Sequence, residues 1–366
     1  DNDIVNMRVA RHLNAPVLLI ADIDRGGALA SLVGTLALLT EEERALVKGL
    51  IINKFRGDVG LLQPAVDFLE EKTGKPVLGI VPHIENIGID DEDSVSLEEK
   101  QADKKERDLH IAVIRTPKIS NFTDFDCLAG EADVSLYYVT ETKELGQPDL
   151  ILLPGSKNTT EDMMYLRDSG LESAIQTAVA KGTPLMGICG GYQMLGEEIR
   201  DPHHTESSYD GVKGMGLLEM TTTFSPEKLT SQVEADCHDW PFLGTKISAT
   251  GLKGYEIHMG ETSFTGTDDC HPLTITRRAG ETCAVTEGTG RADGLIFGTY
   301  IHGIFDHDEF RRQILNALRQ KKGLAPLTST RSVAAEKQRS YDQLAAVVRR
   351  SLDMDKIRAI MGLGSK

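Results

Sequence analysis

A cysteine between glycines is the residue of this sequence best suited to act as a nucleophile. Cys189 lies in residues 186–196, MGICGGYQMLG, where an apolar strand is followed by a Gly-x-Cys-Gly-Gly turn and a helix. This order is that of a nucleophile elbow with cysteine in place of serine. The glycines permit the tight turn and leave the sulfur accessible. The helix start favours a thiolate, and the Gly190 amide can donate to a developing oxyanion.

The competing interpretation of Cys189 is a buried structural cysteine whose neighbouring glycines only allow close packing. A cysteine nucleophile also needs a base, and His302 directly follows an apolar stretch, 295–300 (LIFGTY), that predicts a strand. In parallel sheets functional side chains gather at the carboxyl ends of strands. A lone histidine is, however, more often a surface or core residue, so the spacing alone leaves the role of His302 open.

A third turn could complete such a site. Residues 152–159, LLPGSKNT, predict a strand that ends in a glycine turn before a helix. Free amides in this turn, at Gly155 and Ser156, could supply a second oxyanion donor. The alternative is an ordinary strand-to-helix turn with Thr159 or Thr160 as the N-cap.

The elements that must position these residues form two α/β series. Short apolar runs alternate with segments of helical length and spacing, which is typical of parallel sheets covered by helices. The predicted strands are 16–22, 50–53, 77–82, 111–114, 134–139, 150–155, 184–188 and 295–300, and the predicted helices are 28–39, 64–72, 171–180, 310–320 and 332–352. The Gly- and Thr-rich texture of 211–283 predicts an antiparallel extension made of short strands.

A densely charged stretch separates the two series. We expect one domain over 1–90, a charged linker over 91–108, a second domain over 109–330 and a C-terminal helical segment over 331–366. The sequence does not begin with Met, and we expect it to be an internal piece of a longer protein.

Composition narrows the class of protein. The 366 residues are 40% hydrophobic and 26% charged, with a formal net charge of -16. This balance argues against nucleic acid or an anionic membrane as a partner. Five irregularly spaced cysteines do not suit a disulfide framework, so a reducing cytoplasm is the expected location. Composition gives no prediction of the oligomeric state.

Taken together, the three turns resemble those of the class I glutamine amidotransferases, over about residues 108–310. The resemblance is closest to the branch that includes cobyric acid synthase and cobyrinate a,c-diamide synthase. That branch shows an LPGSKNT turn, a GxCGGYQ elbow and a GYEIHxG stretch, the last present here as 254–260 (GYEIHMG). The resemblance implies a flavodoxin-like amidotransferase domain without a metal, in which Cys189 attacks glutamine and His302 is the base. It further implies oxyanion and glutamine-binding roles for Gly155, Ser156, Gly190, Gly191, Gln193, Tyr255 and Glu256.

The sequence departs from most triad amidotransferases at one position. They carry a Glu two residues after the catalytic His, where this chain has Ile304. The same branch lacks that Glu too, so the site could be a Cys–His dyad with an orienting group from elsewhere, for which Glu256 and Asp306 are candidates. We expect His258, in the antiparallel extension, to shape the site rather than act as the base.

Three N-terminal stretches resemble the synthetase domain of the same branch. They are 3–8 (DIVNMR), 21–27 (ADIDRGG) and 51–58 (IINKFRGD). That domain is similar to dethiobiotin synthetase, a P-loop fold that activates a carboxylate with ATP. The residues suited to ATP or substrate binding are Asp22, Asp24, Arg25, Gly26, Asn53 and Lys54.

Each of these N-terminal residues has a chemical reason to be a candidate. Asp22 and Asp24 end a buried strand, where carboxylates can hold Mg²⁺, with Asp22 the stronger candidate, or can position a substrate. Arg25 and Gly26 make an anion-friendly turn. By the resemblance, Asn53 would face the adenine. Considered singly, each of these residues could equally be a solvated strand end.

The resemblance implies an ATP-dependent ligase of cobalamin biosynthesis. It would amidate the b, d, e and g carboxylates of adenosylcobyrinic acid a,c-diamide with ammonia from glutamine. No Gly-x-x-x-x-Gly-Lys-Ser/Thr motif occurs in the sequence. We therefore expect this chain to hydrolyse glutamine but not to complete ATP-dependent amidation. The alternatives are cobyrinate a,c-diamide synthase, a stand-alone cysteine glutaminase or hydrolase with a vestigial ATPase half, and a non-catalytic ATP switch.

Overall fold

The structure is a computed structural model that describes residues 6–85, 87–89, 106–266, 269–328 and 331–364. The chain divides into two compact units, Asp1–Ile89 together with Ala335–Lys366, and Asp90–Ala334. Most of the predicted linker, 91–105, lies outside the described residues, as do residues 3–5 of the first N-terminal stretch. None of the helices in the described ranges has the length and apolar character needed to cross a membrane.

The first unit is built on a three-stranded parallel sheet. Its elements are α1 (Asn6–Leu13), β1 (Val17–Asp22), α2 (Ala28–Leu38), α3 (Glu41–Leu46), β2 (Val47–Phe55), α4 (Gln63–Thr73) and β3 (Val77–Pro82). The strand order is β1-β2-β3, and Asp22, the last residue of β1, lies opposite Asn53, two residues before the end of β2. Buried leucines from α2, β2 and α4 fill the core, and the polar strand ends lie together at one edge.

The second unit begins with the strands and helices that carry the predicted elbow. They are β4 (Leu109–Ile114), β5 (Ile119–Ser120), α5 (Asp126–Ala129), β6 (Val134–Val139), α6 (Thr142–Leu145), β7 (Leu150–Leu153), β8 (Gly155–Ser156), α7 (Thr159–Asp168), α8 (Leu171–Ala180), β9 (Leu185–Ile188) and α9 (Gly190–Leu195). Strands β4, β7 and β9 are completely buried or nearly so, which explains their continuous apolar sequences.

The remaining elements of this unit extend and close it. They are β10 (Glu198–Arg200), β11 (Gly211–Lys213), β12 (Met220–Phe242), β13 (Thr245–Phe264), β14 (Asp269–Cys270), β15 (Leu273–Arg278), β16 (Glu281–Glu287), β17 (Thr289–Arg291), β18 (Ile296–Thr299) and α10 (Asp308–Lys321). The central sheet has the order β14-β17-β18-β9-β7-β4-β6, in which the five strands from β18 to β6 are parallel. Residues just after β7, β9 and β18 therefore meet at one edge.

A second, mainly antiparallel sheet forms the extension. Its order is β11-β10-β12-β15-β16, and β13 pairs with β12. The expectation of short strands was wrong for β12 and β13, which form one hairpin with strands of 23 and 20 residues. Register shifts between Thr223 and Lys228 and again between Ala235 and Trp240 interrupt the alternation of polar and apolar residues. In sequence, such interruptions look like strand ends.

The C-terminal helices complete the first unit. They are α11 (Val333–Ser351) and α12 (Met354–Ile360). Val347 and Ile357 join the buried cluster of Ile51, Leu78 and Val81. The predicted α/β class, with two parallel sheets and an antiparallel extension, is confirmed, whereas the sequence did not indicate what the C-terminal helices pack against.

Candidate active site

The elbow holds Cys189 in a strained conformation between β9 and α9. Its φ of 53° and ψ of -110° lie in a region that non-glycine residues rarely adopt. The neighbouring backbone is packed too tightly for side chains, since a β-carbon on Gly191 would lie 2.1 Å from the Leu153 carbonyl oxygen. One on Gly187 would lie 2.6 Å from the Gly191 carbonyl. The glycines are therefore required by close packing as well as by the turn.

His302 lies three residues beyond the end of β18 and is completely buried. Its Nδ1 donates to Oδ2 of Asp124 over 2.7 Å. The other carboxylate oxygen, Oδ1, accepts from the Gly303 amide over 2.9 Å. A carboxylate held at both oxygens fixes the orientation and tautomer of the imidazole, leaving Nε2 as the atom that can exchange a proton with sulfur or substrate.

Asp124 is a site residue that the sequence did not reveal. The candidates considered for orienting His302 were Glu256 and Asp306, but the structure places Asp124 against Nδ1 instead. Asp124 lies in a 3₁₀ turn, Phe122–Phe125, that follows the left-handed residue Asn121. It is separated from His302 by 178 positions in the chain. No motif spacing links the two residues, and a short aspartate-containing turn between phenylalanines is an unremarkable pattern.

The electrostatics of the site favour a charged His302. Burial alone lowers its pKa, but the charge of Asp124, the hydrogen bond that His302 donates to Asp124 and the proximity of Cys189 outweigh burial and raise the pKa to about 10. His302 is therefore an imidazolium at neutral pH. A cation at this position can pair with a thiolate and can later give its proton to a leaving amine.

Tyr255 covers His302 from the hairpin side. The two residues exchange backbone hydrogen bonds, Tyr255 N to His302 O at 3.2 Å and His302 N to Tyr255 O at 2.9 Å. Their rings stack with centroids 5.0 Å apart. The Tyr255 hydroxyl accepts from Nδ2 of Asn121 at 2.8 Å. The predicted site residue Tyr255 thus lies beside the base, on strand β13.

The turn after β7 lies against the elbow as predicted. A β-carbon on Gly190 would lie 2.9 Å from the Ser156 amide nitrogen, and one on Gly155 would lie 3.3 Å from Cε1 of His302. Backbone amides of the turn and of the elbow therefore border the same space. The Ser156 hydroxyl itself is engaged, because it donates to Oδ2 of Asp162 at 2.6 Å.

Gln193 and Glu256, both predicted to bind glutamine, make protein contacts. Nε2 of Gln193 donates to the Met259 carbonyl at 3.0 Å, and its Oε1 accepts from Thr159 at 3.1 Å. Glu256 is buried and accepts from Nε of Arg278 at 3.1 Å. Burial raises the pKa of Glu256, and the Arg278 charge opposes this shift. The direct binding roles of these two side chains stay predictions.

Comparison with known proteins agrees with this geometry. Residues 110–310 match the sequence profile of the CobB/CobQ-like glutamine amidotransferase domain, and residues 1–89 match that of an AAA domain. A cobyric acid synthase of Moorella thermoacetica is 50% identical over 363 residues, which are 99% of this chain and 70% of that protein. The cobyric acid synthase of Klebsiella pneumoniae is 48% identical, with the same two coverages.

The chain belongs to the cobyric acid synthase family. Membership makes it an ATP-dependent, glutamine-hydrolysing ligase of cobalamin biosynthesis and confirms the predicted branch of amidotransferases. The chain spans 70% of the length of these relatives.

In this cobyric acid synthase family member, the predicted nucleotide and substrate residues lie at the carboxyl edge of the first sheet. Nζ of Lys54 donates to Oδ2 of Asp22 at 2.8 Å, and Arg25 lies 4.0 Å from the same oxygen. The hydrogen bond from Lys54 is the largest influence on the pKa of Asp22 and lowers it. Gly26 lies in the turn before α2, whereas Asn53 lies within β2, which continues to Phe55 and is longer than the predicted strand 50–53.

Two further residues join this edge without having been predicted. Arg56 donates to both oxygens of Asp24, with distances of 3.0–3.2 Å, and lies 2.9 Å from Nε2 of His83. The Arg56 hydrogen bond is the main cause of the lowered pKa of Asp24. Arg56 lies within the quoted 51–58 stretch, whereas His83 follows β3 and could have been found by examining the third strand end.

The magnesium role of Asp22 stays a prediction. Both of its carboxylate oxygens are already engaged, one with Lys54 and the other with the Asp24 amide at 3.0 Å. Within the described ranges, no group of three or more His, Cys, Asp or Glu side chains is arranged to hold a metal ion.

Proposed function

We propose that this chain hydrolyses glutamine at Cys189 and that, in the longer protein of which we expect it to be a part, the ammonia amidates the b, d, e and g carboxylates of adenosylcobyrinic acid a,c-diamide, each activated by ATP. The observation that carries the glutaminase half is the Asp124–His302 pair at the end of β18, in the same site as the cysteine of the elbow. The substrate follows from the family and from the ADIDRGG run of 21–27.

The hydrolysis has two chemical stages. In the resting site the proton of Cys189 already lies on His302. The thiolate of this ion pair attacks the carboxamide carbon, whose oxygen becomes an oxyanion near the Gly190 amide. The imidazolium then protonates the nitrogen, the carbon–nitrogen bond breaks and ammonia leaves a glutamyl thioester. The now neutral His302 takes a proton from water as the water attacks the thioester, and departure of the thiolate releases glutamate and restores the imidazolium–thiolate pair.

The ammonia needs an activated acceptor, because a carboxylate does not react with an amine directly. ATP transfers its γ-phosphoryl group to a corrinoid carboxylate, which gives an acyl phosphate and ADP. Ammonia attacks the acyl carbon and phosphate leaves, which forms the amide. The edge that holds Asp22, Asp24 and Lys54 is our proposed location for the nucleotide and the carboxylate substrate.

The proposal is tested with the intact protein, ATP, amide-¹⁵N-glutamine and adenosylcobyrinic acid a,c-diamide. We expect labelled nitrogen in the corrinoid at four positions, read by mass spectrometry, and none with the Cys189→Ala variant unless free ammonia is supplied. A parallel reaction uses cobyrinic acid as the acceptor. If labelled nitrogen appears only there, at positions a and c, the protein is a cobyrinate a,c-diamide synthase instead. Hydrolysis of glutamine without any amidation by the longer protein, P-loop included, would favour a stand-alone glutaminase.

A further inference from the structure

His258 is a half-buried histidine that the hydrolysis described above does not use. It lies on β13 between two residues whose carbonyls contact the elbow. The Ile257 carbonyl accepts from Sγ of Cys189 at 3.6 Å, and the Met259 carbonyl accepts from Nε2 of Gln193 at 3.0 Å. The backbone on both sides of His258 is thereby fixed to the segment that carries the nucleophile.

The ring of His258 is also held in place. It stacks on Tyr300, with centroids 3.8 Å apart and planes 16° from parallel. Tyr300 lies two residues before His302, and its hydroxyl is 2.6 Å from Oγ1 of Thr262. The imidazole of His258 is therefore ordered by the same residues that order the predicted catalytic groups.

Both ring nitrogens of His258 are buried, and neither has a hydrogen-bond partner among the described residues. Buried polar atoms without partners are rare in native proteins, because each loses its hydrogen bonds to water without a replacement. Two such atoms on one rigid ring next to a nucleophile are well placed to bind a substrate.

The protonation state of His258 defines what it can bind. Burial is the largest influence and lowers its pKa to about 4, and the nearby charges of Arg278 and His302 act in the same direction. Backbone polar groups of Gly260 and Met259 oppose this shift. At neutral pH the ring is therefore uncharged, with one nitrogen that donates and one that accepts.

The chemistry of glutamine hydrolysis indicates which part of the substrate the two ring nitrogens of His258 can bind. The carboxamide oxygen must face the Gly190 amide, and the leaving nitrogen must face Nε2 of His302. What remains of glutamine is its head group, an ammonium that donates and a carboxylate that accepts. We propose that His258 binds this head group, accepting from the α-ammonium and donating to the α-carboxylate, an inference that rests on the proposed glutaminase activity.

The test compares L-glutamine with glutaramate, the same carboxamide chain without the α-amino group, as substrates of the intact protein. His258→Phe keeps an aromatic ring on Tyr300 and removes both nitrogens. We expect it to lower kcat/KM for glutamine about tenfold, mainly through KM, as loss of one hydrogen bond to a charged group predicts. For glutaramate the loss is smaller, so the preference for glutamine falls. His258→Gln, which retains a donor and an acceptor, should recover part of the preference.

Controls separate binding from folding. The rate at which iodoacetamide alkylates Cys189 should be unchanged in His258→Phe, since the elbow does not need the imidazole nitrogens. His238→Phe, an exposed position on β12, should behave as wild type. An equal loss for both substrates, or an unchanged preference in both His258 variants, would overturn the head-group assignment. If the wild-type protein hydrolyses no glutamine, the proposed function itself fails.

Discussion

At the scale of single residues, the site depends on a carboxylate that is distant in sequence. Asp124 is 178 positions from His302, yet it contacts the imidazole and the next amide in the chain. Cys189 could be predicted because its turn needs particular neighbours, whereas a residue that only orients another needs no local pattern.

The first prediction concerns Asp124. In Asp124→Asn the amide cannot stabilise the imidazolium of His302, so the histidine loses both its orientation and the main cause of its raised pKa. We expect kcat for glutamine hydrolysis to fall by about 100-fold or more, by analogy with carboxylates that orient catalytic histidines. Steady-state kinetics measure this loss.

Two other carboxylates serve as matched controls for Asp124. Asp124→Asn should lose much more activity than Asp306→Asn, whose carboxylate does not contact Nδ1 of His302. Glu256→Gln should lower stability through the weakened Arg278 contact rather than abolish the chemistry. An Asp124→Asn enzyme with wild-type kcat would show that His302 needs no orienting carboxylate.

The second prediction concerns pH. The pKa of His302 is raised to about 10 in the folded protein, above the ordinary value of 6.5. The protonated pair therefore contributes its full stability below about pH 6.5, and this contribution is lost as pH rises through about 10. Urea unfolding of wild type and Asp124→Asn should show a stability difference that is largest near pH 6 and shrinks toward pH 10. A difference that grows with pH would mean that His302 is neutral in the folded state.

At the scale of elements, the elbow is defined by close backbone contacts. A β-carbon on Gly191 would lie 2.1 Å from the Leu153 carbonyl, so β7 and α9 would have to separate. We expect Gly191→Ala to destabilise the second unit by about 1–3 kcal/mol or more, as overpacking does. Differential scanning calorimetry measures the change.

A glycine with open surroundings provides the comparison. A β-carbon on Gly34, inside α2, would meet no atom within 4 Å. Gly34→Ala should raise stability by up to about 1 kcal/mol, since alanine favours helix more than glycine does. If Gly191→Ala were as harmless as Gly34→Ala, the tight packing of the elbow would not be essential.

The strands of the two parallel sheets could be predicted because each is a short, nearly continuous apolar run between turns or helical segments. The strand 77–82 and the helix 171–180 coincide with β3 and α8, and 134–139 with β6. The long hairpin of β12 and β13 could not be predicted, because its register shifts between Ala235 and Trp240 break the alternation of polar and apolar residues. The 3₁₀ turn that carries Asp124 is too short to produce any periodicity.

At the scale of the whole molecule, the chain returns to its first unit at the end. The Asp353 amide donates to the Leu78 carbonyl at 2.7 Å, and a β-carbon on Gly79 would lie 2.1 Å from the Ser351 carbonyl. These contacts join α11 and α12 to β3. A helix at the end of a sequence carries no information about which surface it covers, so this packing was accessible only from the structure.

The fourth prediction follows from that packing. Deletion of residues 335–366 should expose Ile51, Leu78 and Val81 and destabilise the first unit. Hydrogen–deuterium exchange should accelerate in β2 and β3 while β7 and β9 keep their protection. Glutamine hydrolysis should persist, because Cys189, His302 and Asp124 all belong to the second unit. Uniform acceleration of exchange across both units would contradict this division.

The most direct test of the central claim is covalent labelling of the nucleophile. The chain contains five free cysteines, so the four others are internal controls. We expect 6-diazo-5-oxo-L-norleucine, a reactive glutamine analogue, to modify Cys189 alone, with peptide mass spectrometry locating the adduct and excess glutamine preventing it. In Asp124→Asn the labelling should be slower. Modification of another cysteine, or none at Cys189 in protein that hydrolyses glutamine, would contradict the assignment.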